Sequence, residues 1–237
     1  MRAGAKQRCV LKCRIVAVAA VKPRMMLKIA LAWRRRSNYE GWLMPMYHDG
    51  NRELQDQFGA RPLADRLVER LWRDRFKDED KTFIESVGYF FLATADANGH
   101  PDCSFKGGPP GFVKVPAPDL LVFPDYDGNG MFKSIGNIKV NPQVGLLFIS
   151  MGEKPQRLRV NGRASLHFDD PMMNDLPGAQ LVIRVIPEHI FPNCPRYIPN
   201  VQTGEPSQYL PSEGVAPKEP AWKGFDAFKD VVPPRRR

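Results

Sequence analysis

The sequence predicts a mainly β fold with flanking helices, a mostly antiparallel barrel, and three observations point there. Residues 83–166 alternate short apolar runs with turn chemistry. An Asn-Gly pair joins two of those runs directly. Helical periodicity lies mainly before the run of strands, and the helices within it are short, which is not the alternation of a doubly wound fold.

Taken in order, Arg52 to Arg73 reads as a helix interrupted near Gly59 to Pro62, with Leu63, Leu67 and Leu71 at helical spacing for core packing. Asp78 suits an N-cap for a helix over Glu79 to Val87, on which Lys81 and Glu85 are expected to be solvated and which Gly88 ends. Tyr89 to Ala95 is a dense apolar strand. Asp96-Ala97-Asn98-Gly99 turns the chain, and His100 to Lys106 returns. Strands are expected at Phe112–Val115, Leu120–Phe123, Val144–Ser150, Leu158–Phe168 and Gln180–Ile186, with short helices at Met131–Val140 and Pro171–Leu176.

Two glycine-rich loops lie inside this series, Lys106-Gly107-Gly108-Pro109-Pro110-Gly111 and Asp125-Tyr126-Asp127-Gly128-Asn129-Gly130. A phosphate needs converging N–H donors, and glycine lets the backbone come close. Ser104 and Lys106 attend the first loop, and Asn129, Gly130, Lys133 and Ser134 the second, where a helix start adds a favourable dipole. Both loops read equally as ordinary connections with solvated lysines, and Asp125 and Asp127 as residues that shape a turn.

The 237 residues carry a net charge of +9, but eleven of the 35 basic residues fall in positions 1–39, which hold no Asp or Glu. The remaining 24 face 26 acidic residues, so the body carries −2 and no nucleic-acid binding is expected of it. Three readings of the basic extension stand: sequence upstream of a start at Met44 or Met46, a disordered tail, or a targeting peptide. A nucleic-acid arm built on Trp33 and Arg34 to Arg36 is a further one. Its apolar run, Ile15 to Val21, is far shorter than the roughly 20 residues of a membrane span, so no membrane association is expected. Four cysteines and four histidines show no metal-site spacing, and free thiols fit a cytoplasmic location.

The ordered series Phe91 to Asp102, Leu121-Val122-Phe123, Val140-Asn141-Pro142, Val144 to Phe148 and Leu158 to Ala164 resembles the pyridoxamine 5'-phosphate oxidase-like, FMN-binding split-barrel family, specifically its uncharacterised flavin-nucleotide-binding branch. The resemblance implies a six-stranded split β-barrel that forms a homodimer, with FMN in two clefts at the subunit interface. It implies a flavin-dependent oxidoreductase acting on a small-molecule substrate, or alternatively a non-catalytic flavin-binding protein or a deazaflavin-dependent reductase. Carried onto this chain, the cofactor positions are Ser104, Phe105, Lys106, Lys133 and Ser134, joined by Asn129 and Gly130 from the second loop and by Arg157 facing the flavin ring; no catalytic residue is assigned. An edge-strand charge facing solvent is the other reading of Arg157.

The chain departs from the family's oxidases in two places. Ser104 stands where they carry a phosphate-holding arginine, and the C-terminal end, from Ala221-Trp222 to Arg237, lacks their Arg-Leu-His motif. Cys194, in Cys194-Pro195-Arg196-Tyr197, reads either as a reactive thiol beside Arg196 or as a small buried residue. The expected organisation is a basic extension over 1–45, a helical lead-in over 46–80, the flavin-binding barrel over 81–190 and an irregular segment over 191–237.

Overall fold

The computed structural model describes residues 46–204, 208 and 218–233. The basic extension and most of the Pro/Gly/Ser-rich stretch after Tyr197 lie outside the described residues.

Two helices lead in, α1 (Asp49–Gln57) and α2 (Arg61–Leu71). The expected interruption falls at Gly59, whose φ of 61° closes the turn between them, and Pro62 sits in the first turn of α2, where its missing N–H has no partner to lose. Helix α3 (Asp78–Ser86) starts one residue before its expected first residue. Its N-cap is Lys77 rather than Asp78, and the side chain of Asp80 accepts from the Lys77 N–H at 2.9 Å. Asp80 is buried and also pairs with Arg73, so one carboxylate fixes both the helix start and the chain entering it.

Seven strands follow: β1 (Tyr89–Ala95), β2 (Pro101–Gly107), β3 (Lys114–Ala117), β4 (Leu120–Tyr126), β5 (Gln143–Ser150), β6 (Gln156–His167) and β7 (Ala179–Pro192), with helix α4 (Lys133–Val140) between β4 and β5. All neighbours are antiparallel in the order β2-β1-β5-β6-β7-β4-β3. The fold is mainly β with flanking helices, as the sequence predicts. The strand beyond the six of the implied barrel is accounted for by the four-residue β3 at the end of the sheet.

Three strands separate β1 from β4 in that order, yet the ring of Phe90 on β1 meets that of Phe123 on β4 at 5.0 Å and that of Phe148 on β5 at 5.1 Å. The sheet is therefore rolled around these three fully buried rings, which belong to the main core with Leu92, Leu121, Leu146, Val160 and Ile183. Each such ring buries enough apolar area to contribute roughly 1.5–3 kcal/mol relative to exposure. Closure stops short of a full barrel, because β2 and β4 face each other without pairing.

The β1–β2 hairpin forms at the Asn-Gly signal. The carboxylate of Asp96 accepts from the N–H groups of Asn98 (2.8 Å) and His100 (2.9 Å). Across the turn, Asn141 Nδ2 donates to the Asp96 carbonyl at 3.2 Å and Asn137 Nδ2 to Thr94 Oγ1 at 3.0 Å, which ties α4 onto β1. On the far side, β6 and β7 run antiparallel with a bulge at Asn161/Gly162. A Cβ at Gly162 would lie 2.2 Å from the Ile186 carbonyl oxygen, so only glycine fits there.

Lys81 is exposed and Glu85 partly so, but both side chains are also engaged with the sheet. Lys81 Nζ donates to the Val115 carbonyl at 2.9 Å, and Glu85 Oε1 accepts from the Val115 N–H at 3.0 Å. Both peptide groups of Val115 on the short strand β3 are thus satisfied by α3 side chains spaced i and i+4. The expected helix at Pro171–Leu176 is a 3-10 turn over Pro171–Asp175, capped by Asp170, whose side chain accepts from the Met172 N–H.

Candidate functional site

Where the rolled sheet remains open, a cleft of about 410 Å³ lies between β2, the end of β4 and the start of α4. The structure brings seven of the expected cofactor positions together along it: Ser104, Phe105 and Lys106 from β2, Asn129 and Gly130 from the connecting loop, and Lys133 and Ser134 from α4.

Ser104 Oγ and Ser134 Oγ are 2.9 Å apart, a hydrogen bond that joins the return strand of the hairpin to the first turn of the helix. Gly130 has φ 73°, and the next bend comes at Phe132, a left-handed N-cap with φ 49°. Phe132 has no side-chain oxygen to offer, so the first-turn N–H groups of α4 have no side-chain cap. Asn129 holds the loop above them, its Oδ1 accepting from the Met131 N–H at 3.0 Å.

Two ion pairs cross the cleft at long range. Lys106 Nζ is 4.0 Å from Asp125 Oδ1, and Lys133 Nζ is 4.0 Å from Asp102 Oδ1. Neither distance is a hydrogen bond, so the ammonium protons are not committed to these carboxylates. Lys106 is the inner cation, its side chain 22% exposed against 60% for Lys133. Burial pushes the Asp125 carboxyl above its ordinary value, and the nearby Lys106 charge offsets only part of that. Phe105 presents a ring that is 62% exposed and stacks on Tyr89 at 5.6 Å, and Met131 and Phe132 are also exposed. Polar donors and uncovered apolar side chains therefore share one cleft.

Some expectations fall elsewhere. Within one chain Arg157 does not reach the cleft: it lies on β6, donates from Nη2 to the Cys194 carbonyl at 2.7 Å, and leaves its buried Nε unpartnered. Burial and the adjacent Arg159 charge lower its pKa. Of the two glycine loops the second borders the cleft, and the first reaches it only through Lys106, with none of its glycines. In the first, Gly108 donates its N–H to the Gly88 carbonyl at 2.9 Å, and a Cβ there would strike the Phe112 ring, so its glycine serves packing. Asp125 is not a turn residue but a buried member of β4, and Asp102 is a cleft residue that the motif reading passes over; alternation along β2 places it on the same side as Ser104 and Lys106. Among the described residues no group of three His, Cys, Asp or Glu side chains could hold a metal, and no helix is long and apolar enough to cross a membrane.

No curated protein matches the chain. Among solved structures, HupZ of Group A Streptococcus is 18% identical and covers 49% of this chain and 98% of its own, with a TM-score of 0.41. An FMN-binding protein from Syntrophomonas wolfei is 12% identical and covers 62% and 96%, with a TM-score of 0.39. General Stress Protein 26 from Bacillus anthracis is 18% identical and covers 56% and 95%, with a TM-score of 0.38. The family model for pyridoxamine 5'-phosphate oxidase matches residues 76–194, half of the chain, a span that runs from the entry to α3 past the end of β7 and takes in every strand and the whole cleft. This chain belongs to the pyridoxamine 5'-phosphate oxidase family.

Proposed function

We propose that the protein binds flavin mononucleotide with its phosphate in the cleft between β2 and α4, and that it is a flavin-dependent oxidoreductase acting on a small substrate. The observation that carries this reading is the pairing of Ser104 and Ser134 across 2.9 Å, with Lys106 and Lys133 on either side and an uncapped helix start beneath. The donor set fits a phosphate monoester: two hydroxyls, two ammonium groups and first-turn N–H groups, aided by the helix dipole. The two long ion pairs support the fit, because an anion between Lys106 and Lys133 gains hydrogen bonds that Asp125 and Asp102 do not make.

Bound flavin would supply the hydride or electron chemistry. The residues of this chain hold and shield it: the serines and lysines anchor the phosphate, Asn129 keeps the loop over the helix start, and the exposed Met131 and Phe132 give the cleft its apolar lining. The same reading takes the protein as a homodimer. Tyr89, Phe91, Phe105 and Leu147 share the outer face of β1, β2 and β5, an apolar surface suited to a second copy. Arg157, distant from the cleft in its own chain, then meets the flavin only from the partner copy.

Titration of the purified protein with FMN, followed by the visible spectrum, tests the reading. The expected result is a shifted, resolved flavin spectrum at one FMN per chain, with turnover of reduced nicotinamide or oxygen. Full occupancy without turnover favours a flavin carrier, and preferential uptake of a deazaflavin favours the reductase on the same fold. A protein that takes up neither overturns the site.

A further inference from the structure

Asp125 is an unexpected companion for an anion. It is the penultimate residue of β4, only 8% exposed, and it lines the cleft beside the inner lysine. Among the described residues no hydrogen bond reaches its carboxylate, and its one ion-pair partner is Lys106 Nζ at 4.0 Å. The other charges around the cleft give it no second cation of its own. Lys133 on α4 faces Asp102, Asp102 and Asp127 are like charges, and on β7 the register partner of Asp125 is the apolar Leu181.

A phosphate seated at Lys106 therefore competes for the only counter-charge Asp125 has. Two anions would then flank one ammonium group in a partly desolvated space, where repulsion is weakly screened. Of the two, the phosphate is held by Ser104, Ser134 and Lys133 as well, whereas Asp125 has nothing further to lean on. A single proton taken from solvent relieves the conflict, and it changes the role of the side chain. The neutral carboxyl has an O–H to donate, so a repelling group becomes a ligand contact.

We infer that anion binding in this cleft is coupled to protonation of Asp125, which enters the complex as a neutral hydrogen-bond donor beside Lys106. The inference rests on the proposed phosphate site and adds to it a ligand-binding residue whose sequence context reads as a turn. It makes affinity fall as pH rises, since the complex holds one more proton than the free components.

Calorimetric titration of the full-length protein with FMN, in two non-phosphate buffers of different ionisation enthalpy at pH 7, counts the protons exchanged. The protonation change of FMN's own phosphate is common to wild type and Asp125→Asn and cancels in the comparison. Wild type is expected to take up close to one proton more per FMN than Asp125→Asn, and its Kd to rise up to about tenfold per pH unit between pH 7 and 9 while that of the variant stays flat. Equal proton counts with FMN bound by both proteins overturn the inference and leave the phosphate site standing. If Asp125→Asn does not fold, wild type decides alone: a Kd that does not rise between pH 7 and 9 overturns it. Failure of wild type to bind FMN overturns the site and the inference together.

Discussion

The hydroxyls of Ser104 and Ser134, thirty residues apart in sequence, meet at 2.9 Å and fasten β2 to the helix that opens the cleft. Neither has an ionic partner, so the pair is both a structural tie and an uncharged donor set. Ser104→Ala and Ser134→Ala are each expected to weaken FMN binding by about 1 kcal/mol, roughly fivefold. Because each substitution already breaks the shared bond, the double variant should lose at least about 0.5 kcal/mol less than the sum. Strict additivity in a double-mutant cycle would show that the two hydroxyls do not act as a unit.

The two cleft lysines differ in depth, which sets how their loss should read. Lys106→Ala and Lys133→Ala are each expected to cost about 1–3 kcal/mol of FMN affinity, with Lys106 at the upper end because it is the more buried. The contribution of Lys133 should shrink in high salt and that of Lys106 should persist. Fluorescence titrations at two ionic strengths measure both, and unchanged affinity in both variants would remove the phosphate from this cleft.

Away from the cleft, Asp170 and Arg184 form a two-pronged pair at 2.5 and 3.0 Å, and Asp170 is buried. Burial alone would raise the Asp170 carboxyl; the Arg184 bonds and the Met172 N–H outweigh it and hold the group below its ordinary value. A depressed carboxylate contributes stability that is present above its unfolded pKa of about 3.9 and is lost as pH falls through the folded value. Asp170→Asn is expected to destabilise the fold by about 1.5–3 kcal/mol at pH 7. Denaturant midpoints of variant and wild type should converge towards pH 2; a gap that is constant with pH would assign the loss to packing.

Gly162 meets the backbone of β7 with no room for a methyl group. Gly162→Ala should cost about 1–3 kcal/mol or more, since the contact is a carbonyl and not a side chain that can swing away. A melting temperature within one or two degrees of wild type would mean that the bulge relaxes freely.

Much of this architecture is legible in the chain because its signals are local. Asn98-Gly99 marks the hairpin, the dense apolar run Tyr89 to Ala95 marks β1, and the helix before Asn141-Pro142 is found two residues short of its expected start. The gathering of Ser104, Lys106, Lys133 and Ser134 along one cleft is legible because glycine, charge and a helix start coincide. What escapes is whatever tertiary contact decides. Lys81 and Glu85 read as solvated charges, and they keep part of that exposure, but the N–H and carbonyl of Val115 that they bond come from β3, some thirty residues later. Asp125 sits in a run of Asp, Gly and Asn that spells a turn, yet pairing with β7 carries the strand through it to Tyr126. The first glycine loop offers the composition of a phosphate cradle and spends it on packing Phe112.

The clamp on Val115 also bears on how the molecule behaves in a crowd. A terminal strand with unsatisfied peptide groups is a template on which another chain can continue the ladder, the first step of strand exchange and fibril growth. Here α3 supplies that strand with a donor and an acceptor from its own side chains, so an incoming chain would have to break two existing bonds before making any. The β3 end of the sheet is sealed against polymerisation by an ion pair that elsewhere on a surface would do little.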